Sequence, residues 1–148
     1  MGSLRRALQG KRVYLDANIF IYALEGVEPW AKTLHDVFTG LESGEMFAVT
    51  SGLSLAECLV RPFELGRDDW VRVYRQALTS RRYLEVAPID TDVLISAARL
   101  RSEIKVKLPD AIHAATAIAG CCTAMLTNDG GFHRVRQMQL FLLSDWIA

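Results

Sequence analysis

The sequence predicts an α/β protein of three layers, α/β/α, in which helices cover both faces of a central parallel sheet of about five strands. Two patterns support this prediction. Short apolar runs alternate with longer amphipathic segments, as they do where strands and helices alternate along the chain. The short runs also show little alternation of apolar and polar side chains, which is typical of strands covered on both faces.

Length and composition indicate one globular unit. The chain has 148 residues, of which 51% are apolar and 23% charged. It can therefore bury a sizeable core, and it lies outside the composition range of disordered chains. No linker, repeat or low-complexity segment divides the chain, so we expect residues 1–148 to form a single domain.

Five mostly apolar runs are predicted as the strands of this sheet. They lie at residues 13–15, 46–49, 83–86, 124–126 and 140–143. Their apolar side chains mostly stand at consecutive rather than alternate positions, so we expect helices on both sides of the sheet.

Amphipathic helices are predicted between the strands. The clearest pattern repeats apolar side chains at offsets of four, seven and eleven: Val93, Ala97, Leu100 and Ile104. Residues 30–41 and 68–78 show the same periodicity, the second with Asp68 as a candidate N-cap. Gly40 and Gly44 are candidate stop signals for the first. Shorter helices are expected at residues 19–24, 54–59 and 111–118.

The balance of charges excludes binding that is driven by the net charge of the protein. Seventeen basic residues face seventeen acidic ones, so attraction to nucleic acid or to a membrane surface has to be local. Each candidate basic cluster could equally be an ordinary solvated surface. The clusters are Arg5, Arg6, Lys11 and Arg12; Arg61 with Arg67; Arg81 with Arg82; and Arg99, Arg101, Lys105 and Lys107.

The sequence predicts a cytoplasmic protein that does not enter a membrane. Its longest apolar run, residues 114–126, is too short and too interrupted for a span of about 20 residues. The basic N-terminus lacks the apolar region of a signal peptide. Cys58, Cys121 and Cys122 form neither a disulfide framework nor a zinc pattern, and we expect buried thiols.

Four acidic residues stand at junctions between predicted elements. Asp16 and Asp129 follow strands, Glu57 lies in the segment after the second strand, and Asp110 opens a helix lined with small residues. The carboxyl ends of parallel strands meet at one edge of a sheet, so these side chains are expected to come together. Each also has an ordinary structural interpretation: a helix N-cap, a turn residue, an exposed helix position and a favourable helix-dipole contact, respectively.

Four converging carboxylates would repel one another unless a cation neutralised them. Oxygen ligands of this kind favour Mg²⁺ or Mn²⁺. Zinc is not indicated, because His35, His113 and His133 show no ligand spacing with cysteine. His113 follows Asp110 by three residues on the same helix face, and we interpret it as a packed or supporting histidine.

At these positions the sequence resembles the PIN-domain family, and within it the VapC-type toxins of toxin–antitoxin pairs. The resemblance covers nearly the whole chain, and it depends on the order and spacing of its motifs rather than on any single one. The motifs are residues 16–18, 54–57, 108–115 and 126–129, with Phe132 after the last.

The resemblance implies a Mg²⁺-dependent endoribonuclease. Metal ligands would be Asp16, Glu57, Asp110 and Asp129, with Asn18 and Thr127 forming hydrogen bonds around them. The metal would acidify a water that attacks phosphorus in line, with Glu57 as a ligand through water or as the group that orients the nucleophile. The resemblance also implies an RNA substrate, a cognate antitoxin and a homodimer.

Other α/β proteins with acids at strand ends fit these residues less well. A phosphotransfer receiver domain needs paired acids after the first strand and a lysine at a later strand end, and neither is present. An aspartyl phosphatase would carry a second Asp where this chain has Asn18. A PIN-like RNA-processing nuclease without a toxin role, or a module that binds RNA or a partner without cutting, remain as alternatives.

Overall fold

The protein, described here by a computed structural model over residues 2–147, is built on one five-stranded parallel sheet. All five predicted strands are confirmed, with bounds within two residues of those predicted. They are β1 Arg12–Leu15, β2 Phe47–Ser51, β3 Leu84–Ala87, β4 Ala124–Thr127 and β5 Gln139–Leu142.

Helices connect these strands and cover both faces of the sheet, which confirms the three-layer prediction. They are α1 Leu4–Leu8, α2 Ala17–Glu25, α3 Ala31–Glu42, α4 Gly52–Glu64, α5 Asp68–Ala77, α6 Thr91–Ile104 and α7 Leu108–Ala119. Short 3₁₀ helices occupy Gly130–Arg134 and Leu143–Trp146. The sequence did not predict α1, and α4 is about twice as long as the expected segment at 54–59.

Two local predictions about helix ends were wrong. Asp68 is the first residue of α5 and not its N-cap; the N-cap is Arg67, whose side chain forms no capping hydrogen bond. Gly40 lies inside α3 and does not end it. A Cβ atom at this position would come within 2.8 Å of the Met46 side chain. This glycine therefore permits close packing, whereas Gly44 follows the end of α3 with φ of +78°.

The order of the strands positions the functional edge. It is β3-β2-β1-β4-β5, so the chain builds outward on one side of β1 and then returns to its other side at β4. Ligands of open α/β sheets bind at such a switch point, beyond the carboxyl ends of the strands. This order also differs from the 2-1-3-4-5 order of receiver-like folds, in agreement with the sequence argument against that class.

Buried side chains pack on both faces of the sheet. Leu15 belongs to a core cluster with α2 and α3, while Tyr14 belongs to a second cluster with Ala114 and Ala117 of α7. Successive strand residues point to opposite faces, which explains the division. The small residues of α7 let this helix lie close to the sheet, and Asp110 is thereby brought to its edge.

Two further sequence predictions concern the thiols and the membrane. Cys58 and Cys122 are buried as expected, but Cys121 is exposed, because it follows α7 in a turn with φ of +57°. Across residues 2–147, no helix combines the length and the apolar character needed to cross a membrane.

Candidate active site

All four predicted acids line one pocket of about 230 Å³ beyond the carboxyl ends of β1 and β4. They come from four separate segments of the chain and are brought together only by the fold. The residues lining the pocket are Asp16, Ala17, Asn18, Ile21, Glu57, Asp110, His113, Asp129 and Phe132.

Asp16 combines a structural role with its place in the pocket. It is the N-cap of α2, and its Oδ1 accepts a hydrogen bond of 3.0 Å from the backbone N–H of Asn18. Its other oxygen, Oδ2, accepts a hydrogen bond from the hydroxyl of Thr127. Asp16 therefore caps α2, as its ordinary structural interpretation holds, and also lines the pocket.

Thr127 links the two acids that follow β1 and β4. It is fully buried, and its Oγ1 donates to Asp16 while accepting a hydrogen bond of 3.0 Å from the backbone N–H of Asp129. Asp129 in turn caps the following 3₁₀ helix, where its Oδ1 accepts from Gly131 N–H at 2.8 Å. The residues predicted to support the acids thus contact them: Thr127 through its side chain and Asn18 through its backbone.

Glu57 is held by a buried hydrogen-bond chain that the sequence did not reveal. Its Oε1 lies 2.6 Å from Nε2 of His113, and Nδ1 of that ring lies 2.6 Å from the Tyr14 hydroxyl. The Tyr14 hydroxyl also lies 3.1 Å from Oγ of Ser51, the N-cap of the helix that carries Glu57. Ser51, Tyr14 and His113 are all buried, so the chain joins α4, β1 and α7 behind the pocket.

His113 is therefore a packed histidine that also contacts an acid of the pocket, as its spacing from Asp110 indicated. Tyr14 and Ser51 were not identified from the sequence. The sequence did contain a signal for this chain of hydrogen bonds, namely a tyrosine within a buried strand. A buried phenolic hydroxyl needs a hydrogen-bond partner, so a polar side chain was to be expected beside it.

Negative charge accumulates in the pocket. Burial is the main cause that raises the pKa of Asp16, and the hydrogen bond from Thr127 acts against that rise. The pKa of Asp110 is also raised, first by burial and then by the charge of Asp129. The folded protein thus disfavours the ionised form of both carboxyl groups and would gain from a cation beside them.

The donor set of the pocket fits a small divalent cation. Among residues 2–147, no group of three or more His, Cys, Asp and Glu side chains stands ready to hold an ion directly. Mg²⁺, however, binds through one or two carboxylates and keeps several waters. A pocket of about 230 Å³ with carboxylates on its walls has room for that hydrated ion, since a water occupies about 30 Å³.

Comparisons with known proteins give a match to one protein family. The sequence matches the model of a family described as PIN domain over residues 13–138, a span that contains all four acids. A comparison with curated proteins gives no significant match.

Solved structures with the same fold include components of toxin–antitoxin systems. VapBC2 from Rickettsia felis, bound to a DNA fragment from its promoter, gives a TM-score of 0.66 at 20% identity and covers 88% of this chain and 97% of its own. A toxin–antitoxin complex from Klebsiella pneumoniae gives 0.65 at 24%, covering 88% and 97%. VapC20 from Mycobacterium tuberculosis, described as a sarcin-ricin loop cleaving toxin, gives 0.67 at 14%, covering 86% and 98%. Identities below 25% establish likeness of fold alone.

Proposed function

This chain belongs to the PIN domain family, and on that premise we propose that it is an endoribonuclease that hydrolyses RNA phosphodiester bonds with Mg²⁺ or Mn²⁺. One observation carries the proposal: Asp16, Glu57, Asp110 and Asp129, from four separate segments, line a single pocket. Capping or dipole interactions at each acid would not require the four side chains to meet. A shared ligand explains why they do.

The four acids have different roles in this proposal. Asp16, Asp110 and Asp129 would hold the cation, and Glu57 would bind it through water or orient the attacking water. The Thr127 hydroxyl donates a hydrogen bond to Asp16 and accepts one from the backbone N–H of Asp129. It therefore holds these two proposed ligands in fixed positions relative to each other. His113 fixes one oxygen of Glu57 and leaves the other oxygen of that carboxylate available.

When bound, the cation supplies Lewis acidity that stabilises the negative charge developing on the phosphate oxygens during hydrolysis. The protein contributes by positioning the carboxylates of the pocket. Hydrogen bonds to Asp16 and to Glu57 orient these carboxylates before substrate arrives, so less reorganisation accompanies the reaction. Phe132 closes one wall of the pocket with a buried ring.

We further propose that the protein is the toxin of a toxin–antitoxin pair. Support comes from the shared fold with toxin–antitoxin structures and from apolar side chains left exposed on α4, at its C-cap and on α5, which suit a protein partner. These side chains are Val60, Phe63, Leu65 and Val73. A groove of about 290 Å³ lies between α2, α3 and α5, and its lining includes Phe20, Phe38 and Ala77. A helix of a partner protein could bind in this groove.

Cleavage of total RNA by the purified protein tests the enzymatic proposal. We expect cleavage with Mg²⁺ or Mn²⁺ and none with EDTA. Asp110→Ala should lose nearly all cleavage while remaining folded. Asp92→Ala is the matched control, because Asp92 occupies the first turn of α6 as Asp110 does that of α7 but does not line the pocket.

The outcomes separate the alternatives. Full activity in folded Asp110→Ala would contradict the role of that residue. RNA binding without cleavage under every metal would favour a non-catalytic module. Cleavage without growth arrest on expression, and without a neighbouring reading frame for a small antitoxin, would favour an RNA-processing nuclease.

A further inference from the structure

A cavity of about 570 Å³ lies where α6 ends and the chain turns into α7. Three of its six lining residues are cationic and none is acidic: Ala98, Arg101, Ser102, Lys105, Val106 and Lys107. We call these six residues the basic cavity. Because the chain as a whole is neutral, this excess of positive charge is a local feature.

The lysines of the basic cavity are not neutralised by acidic side chains. In two of the three other basic clusters, carboxylates of the protein form ion pairs with Arg5, Arg12 and Arg67. Within residues 2–147, neither Lys105 nor Lys107 takes part in an ion pair. Their ammonium groups therefore remain available to a ligand.

The start of α7 connects the basic cavity to the acidic pocket, because Lys107 lines the first and Asp110 lines the second. Lys107 is the N-cap of α7 and Asp110 is the third residue of that helix, a spacing that puts them on one side of it. Burial raises the pKa of Asp110, and the positive charge of Lys107 acts against that rise, as expected for neighbouring groups.

A second connection runs through the segment that carries Asp129. Arg134 ends the 3₁₀ helix that Asp129 caps, and its Nη1 lies 3.4 Å from the carbonyl oxygen of Ile104 and 3.3 Å from that of Lys105. The end of α6 is thus joined to the loop beside the pocket. A strand of nucleic acid in the pocket would have the basic cavity next to it.

The backbone at Lys105 is also unusual. This residue ends α6 with φ of +55°, a left-handed conformation in which glycine is the favoured residue. The side chain of this lysine lines the basic cavity.

We propose that the basic cavity binds backbone phosphates of the RNA strand beside the phosphodiester that is cut, an inference that rests on the proposed function. The acidic pocket cannot attract the rest of the substrate, because carboxylates repel phosphates. Lysines next to it supply that attraction as point charges and set the path of the strand. The lysines are binding residues and take no part in bond breaking.

The double variant Lys105→Gln/Lys107→Gln tests this site. Its control, Lys11→Gln/Lys32→Gln, changes the net charge equally at basic positions outside both the pocket and the basic cavity. We would measure binding of a labelled single-stranded RNA in EDTA by anisotropy across a salt series, and cleavage of the same RNA with Mg²⁺. Thermal melts would check that both variants are folded.

In the cavity variant, the plot of log affinity against log salt should become shallower by about 0.7 for each phosphate that the protein no longer neutralises. KM for RNA should rise by about tenfold, with kcat within about twofold of the parent. The control variant should match the parent. A fall in kcat at constant KM would overturn the inference, because it would mean that the lysines act on the acids rather than on the substrate.

The remaining outcomes distinguish this inference from the proposed function. If the cavity variant keeps the parental salt slope and KM while RNA is still cut, the phosphate site is wrong and the nuclease stands. Equal losses in both double variants overturn the phosphate site as well, since they reflect overall charge. A parent protein that neither binds nor cuts RNA overturns both proposals.

Discussion

Nε2 of His113 lies 2.6 Å from Oε1 of Glu57, at the wall of the pocket that all four acids line. His113 is 3% exposed, whereas the Glu57 side chain keeps 39% of its surface accessible. An ionised carboxylate only accepts hydrogen bonds, so Nε2 is the donor. In a neutral ring Nδ1 then accepts from the Tyr14 hydroxyl, 2.6 Å away. A buried imidazole thus fixes a carboxylate that reaches solvent.

This relationship predicts that two amide substitutions of His113 behave differently. In His113→Gln the amide nitrogen falls near the position of Nε2 and can still donate to Glu57, whereas in His113→Asn it falls near Nδ1 and cannot. We expect the Asn variant to lose about 10- to 100-fold in cleavage or Mn²⁺ affinity, the usual effect of losing a group that orients a ligand, and the Gln variant to lose less. Steady-state kinetics and Mn²⁺ titration measure this. Equal losses at equal melting temperature would contradict an orienting role.

Asp16→Asn separates metal binding from capping. Asn caps nearly as well as Asp, so the metal-free variant should melt at or above the parent temperature, because it no longer buries a charge. Mg²⁺ at a hundredfold excess over Kd should stabilise the parent by about 2.7 kcal/mol and the variant much less.

The matched control for this substitution is Asp90→Asn. Asp90 caps α6 with a hydrogen bond of 2.9 Å from Val93 N–H but does not line the pocket. It should leave the Mg²⁺ response unchanged in thermal melts. An equal Mg²⁺ shift in the Asp16 and Asp90 variants would mean that Asp16 is not a ligand.

Asp110→Asn should raise the melting temperature of the metal-free protein near pH 7. The pKa of Asp110 is raised above its ordinary 3.8 by burial and then by Asp129. Stability from the protonated form is therefore present below that ordinary pKa and lost as pH rises through the folded pKa. Melts in EDTA between about pH 4 and pH 8 should give the largest difference at high pH and a small one at low pH.

Asp69→Asn provides a control of opposite sign. Arg67 lowers the pKa of Asp69 to about 2, so its ionised form contributes stability above the ordinary pKa that is lost as pH falls through the folded value. This pair is exposed and screened by solvent. The substitution should leave the melting temperature at pH 7 unchanged or slightly lower. A rise in both variants would point to net charge rather than to crowding of acids in the pocket.

Thr127→Val should cost about 1 to 3 kcal/mol of unfolding free energy, because it removes a buried hydroxyl that pairs with both Asp16 and Asp129. Thr116→Val is the comparison: Thr116 is also buried, but its hydroxyl donates to the Ile112 carbonyl of its own helix. Denaturant unfolding should therefore find a smaller cost there. Similar costs for the two would mean that the Thr127 hydroxyl stabilises the fold no more than a helical one.

The homodimer that the family resemblance implies can be tested directly. Light scattering from micromolar to millimolar concentration should give twice the mass of one chain, and monomers alone would contradict the proposal. Phe63→Glu on α4 and Ile95→Glu on α6 each place a charge in an exposed apolar region, and these side chains are 63% and 54% exposed. The variant that yields monomers identifies the contact face.

Local patterns were sufficient to predict the five strands, six of the seven helices and the acids at the ends of elements. The run Val13–Leu15 is buried within β1, and Asp16 follows it, so its place at the strand end could be predicted from the chain alone. The same reasoning located Asp110 and Asp129. It failed at Gly40, whose role depends on Met46 from a neighbouring segment.

By itself, the sequence determined the alternation of strands and helices, the burial of the sheet on both faces, and the acids at the element ends. Each of these properties depends on only a few consecutive residues, because the periodicity of apolar side chains indicates which face of an element is buried. Tertiary structure alone decided the strand order, the pairing of Glu57 with His113, and the hydrogen bonds from Arg134 to the end of α6. Those relations join residues distant in the chain, and they exist only once the strands of the sheet have paired and α6 and α7 have packed against it.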